Sequence, residues 1–305
     1  MQKCNICNSP LEKLTFIFSE YFKYFFKYLG ICKSCGHLQI YKKYSLLEYK
    51  EINDQFFLNT YKIQDKDEKN KQIYQKRLDK FKRLMHDQKL DNIKVLDFGA
   101  GQGIFTDFLL NKSCLYYFTE SNEYSIKKLK NKGGIQLETS FEEIKDIEKF
   151  INFFDLIILR HTLEHFILPN NWLTNFKKIL NDKGKIYCIV PNCGGIDKLE
   201  FKGGYRTDFF RPVHISYFNN NNFKRILNLN GFKILKNEIG TELFALAENS
   251  KEKISNKFTN DYEKNKKEIR SFASKKLIKE LKIISVRILK YYIIKFINFI
   301  NFRKN

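Results

Sequence analysis

The sequence predicts an α/β protein built on a doubly wound parallel sheet. Between residues 91 and 250, short apolar runs alternate with segments of helical period, as expected when right-handed crossovers join parallel strands. Two further observations agree: a glycine-rich turn follows the first apolar run, and an acidic residue ends the second. We predict strands over 94–98, 115–119, 154–159, 185–190, 232–236 and 243–247, and a helix over 104–111.

The composition limits the class of protein. The chain has 305 residues, 43% of them hydrophobic, which suits one large folded domain with appendages. A net charge of +21 would suit nucleic acid, but lysine supplies most of it and the excess is concentrated in residues 251–305. The start of the chain does not read as a signal peptide, so the seven cysteines are expected in a reducing cytoplasm.

The first 44 residues predict a zinc-binding ribbon. They contain two C-x-x-C pairs, Cys4 with Cys7 and Cys32 with Cys35. Each C-x-x-C turn presents two thiolates to one tetrahedral ion, and two turns complete the site. Such a closed site has no open coordination position, so we expect this zinc to be structural. Free or redox-active thiols are the alternative.

Residues 45–90 are predicted to form helices that connect the ribbon to the central domain. The segment is rich in charged residues, with an apolar stripe at helical spacing formed by Leu78, Phe81, Leu84 and Met85. We expect these helices to pack on the edge of the domain 91–250 without contributing chemistry.

The glycine-rich turn is the most informative stretch of the chain. Asp97 follows two apolar residues, and glycine then recurs as Gly99, Gly101 and Gly103. Glycine permits a tight turn and lets backbone N–H groups approach a ligand with no Cβ in the way. The spacing differs from the G-x-G-x-x-G of dinucleotide-binding folds, because Ile104 occupies the sixth position.

Two further segments are expected beside this turn. Glu120 ends the second strand, where a carboxylate can accept hydrogen bonds from two ribose hydroxyls. Ser140 and Phe141 follow a short third strand, where the ring can pack on an adenine and the hydroxyl can bond to its edge. A helix N-cap at Ser140, with Glu143 three residues later, is equally compatible with the sequence.

The segment 160–165, with the sequence RHTLEH, follows the fourth strand. It contains the H-x-x-E-H pattern of a class of zinc proteases. We reject that function, because the pattern directly follows a buried strand and the sequence indicates no third ligand. The position instead places these residues where a substrate would meet the ligand of the glycine-rich turn.

Residues 191–218 follow the fifth strand and are predicted to form a substrate lid. Paired glycines suggest hinges, and Arg, His and Tyr side chains are frequent. We name His214 and His165 as candidate general bases, with His161 third. Imidazole is the natural proton acceptor near neutral pH, a role worth about 10²–10⁴ in rate. A purely structural role for each histidine is the alternative.

Residues 251–305 are predicted to form a basic, amphipathic helical tail. Arg287, Lys290 and Lys295 interrupt its apolar run, which argues against a membrane-spanning helix. The segment 275–302 can lie on an anionic membrane surface, or it can dock on its own domain or on a second copy. The sequence favours neither. The expected location is cytoplasmic, peripheral at the inner face of the membrane in the first case.

These motifs together resemble those of class I S-adenosylmethionine (SAM) methyltransferases over about residues 91–250. The resemblance rests on the D-x-G-x-G-x-G turn, on Glu120, and on Leu163-Glu164-His165 before Pro169. It implies a Rossmann-like methyltransferase sheet with SAM as cofactor. The matching positions imply SAM contacts from Asp97, Gly99, Gly101, Gly103 and Glu120, with Arg160 and His161 near the methionine end.

The N-terminal cysteines indicate a particular branch of these methyltransferases. A C-x-x-C…C-x-x-C-G module before a SAM domain is similar to that of zinc-containing sugar methyltransferases, which act on nucleotide-activated deoxysugars. The P-x-H-x-x-Y-F pattern at 212–218 resembles the same branch. We therefore expect methylation of a sugar, nucleotide-activated or glycan-linked, in surface polysaccharide biosynthesis.

Two other functions stay open from the sequence. RNA base methylation is one, since zinc modules also precede SAM domains among rRNA guanine methyltransferases and the chain is basic. Against it, no Asn/Asp-Pro-Pro-aromatic segment follows the fourth strand, so nucleic acid is not the expected partner. The other is a non-catalytic, membrane-associated assembly protein, which the intact SAM motif disfavours.

Overall fold

The computed structural model describes residues 2–14, 29–41, 44–54, 68–139, 144–195, 213–252, 254, 258–272 and 274. Four parts of the sequence predictions lie outside the described residues: Ser140, Phe141, residues 196–212 of the predicted lid, and the segment 275–302.

The described part contains strands and helices in alternation. The strands are β1 (Leu11–Lys13), β2 (Leu29–Cys32), β3 (Leu38–Ile40), β4 (Lys94–Phe98), β5 (Leu115–Thr119), β6 (Ile135–Gln136), β7 (Phe154–Arg160), β8 (Leu180–Pro191), β9 (Ser216–Tyr217), β10 (Phe232–Ile239) and β11 (Glu242–Asn249). The helices are α1 (Glu68–Leu84), α2 (Thr106–Leu110), α3 (Glu123–Asn131), α4 (Pro169–Ile179) and α5 (Asn220–Leu229), and residues 46–54 and 262–272 are also helical.

The larger sheet has seven strands in the order β10-β11-β8-β7-β4-β5-β6. Strands β4 to β8 run parallel, and β11 runs antiparallel to both of its neighbours. This arrangement confirms the predicted doubly wound α/β fold. From β4 the chain moves outward to β6 and then returns to β7 on the other side of β4. A ligand cleft is expected where the strand order reverses in this way, at the carboxyl ends of β4 and β7.

The central strands are buried on both faces, as parallel strands between two helical layers are. In β7 the residues Leu156 to Leu159 are all buried, and β4 is buried from Val95 to Phe98. One prediction about the next strand was wrong. The strand was predicted over 185–190, but β8 begins at Leu180, so Gly184 lies inside it. A Cβ on Gly184 would lie 2.9 Å from the carbonyl oxygen of Phe154, so the sheet needs a glycine where the two strands shift register.

A second sheet joins the N-terminal segment to the larger domain. It has four strands in the order β1-β2-β3-β9. Strand β9 pairs antiparallel with β3, with Leu38 opposite Tyr217 and Gln39 opposite Ser216. The N-terminal sheet is therefore completed by the two residues that follow Ile215, and the chain beside His214 is fixed by this pairing.

The helices that flank these sheets are held by apolar contacts. Phe81, Leu84 and Met85 of the predicted stripe are buried against the larger sheet. Residues 262–272 pack on the N-terminal sheet, where Ile269 and Phe272 are fully buried. Within the part of the chain that the structure describes, every helix is too short or too polar to cross a bilayer.

Candidate functional site

A cleft of about 420 Å³ opens at the carboxyl ends of the central strands. The glycine-rich turn after β4 and the end of β5 form one wall. The segment after β7, the helix 46–54 and α1 form the other. The cleft therefore lies at the strand-order reversal, between two walls.

The glycine-rich turn needs glycine for its backbone geometry. Gly99, Gly101 and Gly103 have φ angles of +74°, +56° and +70°, in the left-handed region that side chains with a Cβ rarely adopt. A Cβ on Gly103 would also lie 2.3 Å from Cδ2 of Leu129 and 2.6 Å from Oγ1 of Thr106. The turn can keep this shape, and α3 can pack behind it, only without a side chain at Gly103.

Glu120 is held rigidly beside this turn. Its Oε2 accepts a hydrogen bond from the backbone N–H of Gly101 at 2.8 Å. Its Oε1 accepts from the backbone N–H groups of Ser121, at 2.8 Å, and of Asn122, at 2.9 Å. Oε2 keeps a second lone pair for a ligand hydroxyl in the cleft, while a second ligand hydroxyl would have to share Oε1 with its two backbone donors.

Asp97 lies beneath the turn, in the interior. It is 3% exposed, and its Oδ2 accepts a hydrogen bond from the hydroxyl of Tyr116 at 2.9 Å. The Tyr116 hydroxyl in turn accepts from Oγ1 of Thr106 at 3.1 Å. Burial raises the pKa of Asp97 to about 7, because the interior disfavours its charged form. The carboxyl therefore anchors the base of the turn and titrates near neutral pH.

The opposite wall begins with an ion-paired corner at the end of β7. Oε1 of Glu242 lies 2.7 Å from Nε2 of His161 and 3.5 Å from Nη2 of Arg160, and its Oε2 lies 3.0 Å from Nζ of Lys80. Burial raises the pKa of Glu242, but the His161 hydrogen bond and the neighbouring cations outweigh it and hold the pKa well below its usual range. Burial also lowers the pKa of Arg160 to about 10.

His161 is engaged on both sides of its ring. Its Nδ1 lies 3.3 Å from Oε1 of Glu164, opposite the contact with Glu242. Its backbone φ of +53° is a strained conformation for a non-glycine residue, of a kind found often at functional sites. A carboxylate oxygen lies at each ring nitrogen, so neither nitrogen of His161 is open to a substrate.

Glu164, His165 and His214 form a second group, which we call the histidine cluster. One potential ligand atom from each lies within 4.8 Å of the other two. The two imidazole rings meet edge to face, with centroids 4.9 Å apart. His165 lines the cleft, while His214 is 5% exposed and lies behind it. The cluster therefore brings together two of the three predicted bases.

The chemistry of the cluster follows from its hydrogen bonds and burial. Nδ1 of His165 lies 3.0 Å from the carbonyl oxygen of Val213, which can only accept, so Nδ1 carries the proton and Nε2 the lone pair. Burial lowers the pKa of His165 to about 4, which keeps this ring neutral at pH 7. Leu163–His165 is a 3₁₀ turn and not an α-helix, so the H-x-x-E-H residues do not form the helical face that a zinc protease needs.

The backbone around His214 is fixed by the N-terminal sheet. The N–H of Ile40, in β3, donates to the carbonyl oxygen of Ile215 at 2.9 Å. The N–H of Ile215 donates to the carbonyl oxygen of Glu164 at 2.8 Å. Ile215 thus links the N-terminal sheet to the histidine cluster on the wall of the cleft.

The connector 45–90 contributes more than was predicted. The sequence assigned no chemistry to this segment, but its residues Tyr49, Asn53, Tyr74 and Arg77 line the cleft. The Tyr49 hydroxyl lies 2.6 Å from the carbonyl oxygen of His165 and 2.8 Å from that of Val213. Helical spacing places Tyr74 and Arg77 on one face of α1, but nothing in the sequence indicates that this face meets the sheet edge.

The four cysteines of the N-terminal segment come together away from this cleft. Their sulfur atoms lie 3.7 Å apart for Cys4 and Cys35, 3.5 Å for Cys7 and Cys32, and 3.6 Å for Cys7 and Cys35. A tetrahedral zinc site with Zn–S bonds of about 2.3 Å places its sulfurs about 3.8 Å apart. The cluster therefore has the dimensions of a four-thiolate metal site.

Comparisons with known proteins agree with this geometry. The sequence matches a family model described as a methyltransferase domain over residues 67–237, more than half of the chain. The fold is similar to that of 1,6-didemethyltoxoflavin-N1-methyltransferase from Burkholderia thailandensis, solved with S-adenosylhomocysteine, at 14% identity and a TM-score of 0.51, over 77% of this chain and 98% of that one. It is also similar to magnesium protoporphyrin IX methyltransferase from Synechocystis PCC 6803, at 17% identity and a TM-score of 0.50, over 67% and 99%.

A search of curated proteins finds no match to the chain. The family match nevertheless spans the whole glycine-rich turn, β7 and the cleft between them. The strand order and the position of the cleft are those of the class I fold. The chain belongs to the methyltransferase domain family, and it is a SAM-dependent methyltransferase.

Proposed function

We propose that this methyltransferase transfers the methyl group of SAM to a hydroxyl of a sugar, nucleotide-activated or glycan-linked, in surface polysaccharide biosynthesis. The observation that carries the proposal is the cleft with two unlike walls. We call the glycine-rich turn with Glu120 the donor wall, and the histidine cluster with Tyr49 the acceptor wall. Two structural neighbours are named as methyltransferases of small molecules, which supports a small-molecule acceptor.

The donor wall is proposed to bind SAM. Glu120 accepts hydrogen bonds from the two ribose hydroxyls, and Gly99, Gly101 and Gly103 let the backbone approach the methionine part closely. Asp97 supports the turn from below, and Arg160 and His161 lie towards the methionine end. Thr139 lines the cleft, so Ser140 and Phe141, which follow it directly, are proposed to contact the adenine.

The acceptor wall is proposed to activate the sugar hydroxyl. Bound SAM supplies an electrophilic sulfonium methyl group, and the chain has to orient the hydroxyl and receive or release its proton. The acceptor O–H bond breaks as the new O–CH₃ bond forms and the S–CH₃ bond breaks, leaving S-adenosylhomocysteine. His165 and His214 are placed to handle that proton, and buried Glu164 stabilises positive charge beside them. The carboxylates at both nitrogens of His161 make it the least suited of the three.

The four-cysteine cluster is proposed to hold a structural zinc. The sulfur spacing fits a closed tetrahedral site, and in the proposed cytoplasmic location paired cysteines hold metal more often than they form disulfides. Zinc there would fix the turn before β1 and the turn between β2 and β3, and through β3 and β9 the backbone beside His214. The metal therefore supports the acceptor wall without taking part in methyl transfer.

The direct test offers the purified full chain SAM with a labelled methyl group and, separately, nucleotide sugars, lipid-linked glycan precursors and RNA. We expect label in a sugar, with a labelled product one methyl group heavier by mass spectrometry. The matched control is the His214→Ala variant, which should still bind SAM in calorimetry but transfer little label. Label in RNA alone, or SAM binding with no label in any sugar, would overturn the sugar assignment.

A further inference from the structure

The histidine cluster has the composition of a metal site that the sequence did not indicate. The H-x-x-E-H pattern pairs His161 with His165, but the structure instead groups Glu164, His165 and His214, from two distant segments. Two imidazoles and one carboxylate form a ligand set that binds Zn²⁺, Fe²⁺ or Mn²⁺ in proteins. Their ligand atoms lie within 4.8 Å of one another, and a zinc site draws such atoms to about 3.3 Å.

A second observation points to a missing ligand of positive charge. Glu164 is 1% exposed, and its Oε2 is buried without a hydrogen-bond partner among the described residues. A buried carboxylate oxygen with no partner loses its hydration without replacing it, which destabilises the fold. Oε1 of the same carboxylate already faces His161, so Oε2 is the atom that a cation at the cluster would satisfy.

The hydrogen bonds around His165 are those of a metal ligand. Metal-binding histidines almost always donate the N–H of the other ring nitrogen to a carbonyl or carboxylate oxygen, which fixes the tautomer and the ring direction. His165 does so through Nδ1 to the carbonyl oxygen of Val213, and Tyr49 holds that same carbonyl from the other side. The lone pair of Nε2 therefore points away from Val213.

The cluster also differs from the four-cysteine site in its access to solvent. Four thiolates close a tetrahedral site, whereas three protein ligands leave a position for water or substrate, as in catalytic zinc sites. His165 lines the cleft, so that position lies on the cleft side. The four-cysteine cluster thus has the form of a structural metal site, and the histidine cluster has the form of a catalytic one.

We propose that Glu164, His165 and His214 bind a divalent transition-metal ion, Zn²⁺ by ligand type, whose remaining position faces the methyl-transfer cleft. The existence of the metal site does not depend on the proposed function, but the role of the metal in catalysis rests on that function. A sugar hydroxyl that completes the coordination loses its proton to cleft water, and the resulting alkoxide oxygen takes the methyl group as the S–CH₃ bond breaks. The imidazoles then act as ligands, and neither has to take the proton.

The test titrates the reduced, metal-free full chain with Co²⁺ and follows its absorption, with total metal checked by mass spectrometry. We expect two equivalents per chain. One gives the strong thiolate-to-metal charge-transfer bands of the four-cysteine site, and the second gives only the weak ligand-field bands of nitrogen and oxygen ligands. Glu164→Gln and His214→Ala should each bind one equivalent, while His86→Ala, at an exposed histidine, should bind two.

A third variant keeps the proposal falsifiable if these proteins fold poorly. His214→Cys replaces one ligand by another, so the second equivalent should persist and should add a charge-transfer band of its own. A second equivalent that is absent at about 100 μM Co²⁺, or that persists in both Glu164→Gln and His214→Ala, overturns the site. Full methyl transfer with only the thiolate site filled removes the role in catalysis but leaves the sugar methyltransferase intact. Two bound equivalents of Co²⁺ without any methylated sugar would overturn the sugar methyltransferase and leave the metal site intact.

Discussion

The donor wall and the acceptor wall face each other across one cleft but are assembled differently. The donor wall comes from two consecutive strands, and its polar contacts run between near neighbours, such as Glu120 and the backbone of Gly101. The acceptor wall joins the helix 46–54, the turn after β7 and the residue before β9. It also depends on the N-terminal sheet, which pairs with β9 and not with any strand of the donor wall.

This difference separates binding of the donor from transfer of the methyl group. A change that loosens the N-terminal sheet should disturb His214 and leave the glycine-rich turn in place, because the sheet pairs with β9 and hydrogen-bonds to Ile215, next to His214. A change in the donor wall should weaken SAM binding and leave the acceptor wall assembled. Four variants probe the two walls, in order of the expected effect.

The largest effect is expected from loss of the proposed ribbon zinc. The double change Cys32→Ser and Cys35→Ser removes two thiolates, and zinc binding supplies about 10–16 kcal/mol to small zinc modules. The N-terminal sheet should then lose its turns and release β9, so methyl transfer should fall by about 10³-fold or more. The Kd for SAM, measured by calorimetry, should change by less than about threefold.

The matched control is Cys114→Ser, a buried thiol whose Sγ donates to the carbonyl oxygen of Leu90, far from both walls. It should retain both metal content and methyl transfer. If SAM affinity falls in step with activity in the ribbon variant, the two walls are not separable and the comparison fails.

The second prediction concerns the acceptor wall alone. His214→Ala should lower kcat by about 10²–10⁴-fold, the usual range for loss of acid–base catalysis, whether the imidazole handles the substrate proton itself or holds the proposed metal. The Kd for SAM should stay unchanged, because His214 lies behind His165 and does not reach the donor wall. His86→Ala controls for the general effect of removing an imidazole. An equal loss of SAM affinity would place His214 in donor binding instead.

The third prediction concerns the donor wall alone. Glu120→Ala removes the proposed ribose contacts, and hydrogen bonds to a charged group contribute about 1.5–3 kcal/mol. The Kd for SAM should rise by about 10–100-fold, while kcat at saturating SAM changes little. Glu123→Ala, at an exposed carboxylate in the first turn of α3, is the control. A fall in kcat with unchanged SAM affinity would contradict the assignment of Glu120.

The same difference explains how much of the molecule the sequence predicts. The donor wall is encoded locally: the glycine spacing fixes a turn, and the period of the strands fixes its place, so the bounds 94–98 and 115–119 agree with β4 and β5. The acceptor wall depends on pairings across the whole chain. Sequence patterns identify His165 and His214 as reactive types, but they contain no information that Ile40 and Ile215 share a hydrogen bond.

The connector illustrates the same limit. Leu78, Phe81, Leu84 and Met85 predict a helix and its buried face, because apolar periodicity reports on burial. Periodicity says nothing about what the polar face meets. Tyr74 and Arg77 reach the cleft only because Phe81 packs α1 against Tyr187 of β8 and Phe105, which is a property of tertiary packing.

The smallest effect is expected at Asp97, which belongs to the donor wall but lies beneath it. Its pKa is about 7 in the folded chain, against an ordinary value of 3.8, because burial disfavours the carboxylate. Above pH 4 the folded state therefore binds more protons at Asp97 than the unfolded state does, and the free energy of unfolding falls as pH rises. Between pH 6 and pH 8 the loss is about 1.4 kcal/mol.

Asp97→Asn should remove this loss, since an amide does not titrate and can still accept the hydrogen bond from Tyr116. Urea unfolding without SAM, at pH 6 and pH 8, measures the difference for both proteins. Asp107→Asn, at an exposed carboxylate, should behave as the wild type does. The decisive quantity is the free energy of unfolding of the wild type minus that of Asp97→Asn. If this difference does not fall between pH 6 and pH 8, Asp97 is ionised without cost. Its charge would then be stabilised from within the turn, and the donor wall would owe its shape to more than its glycines.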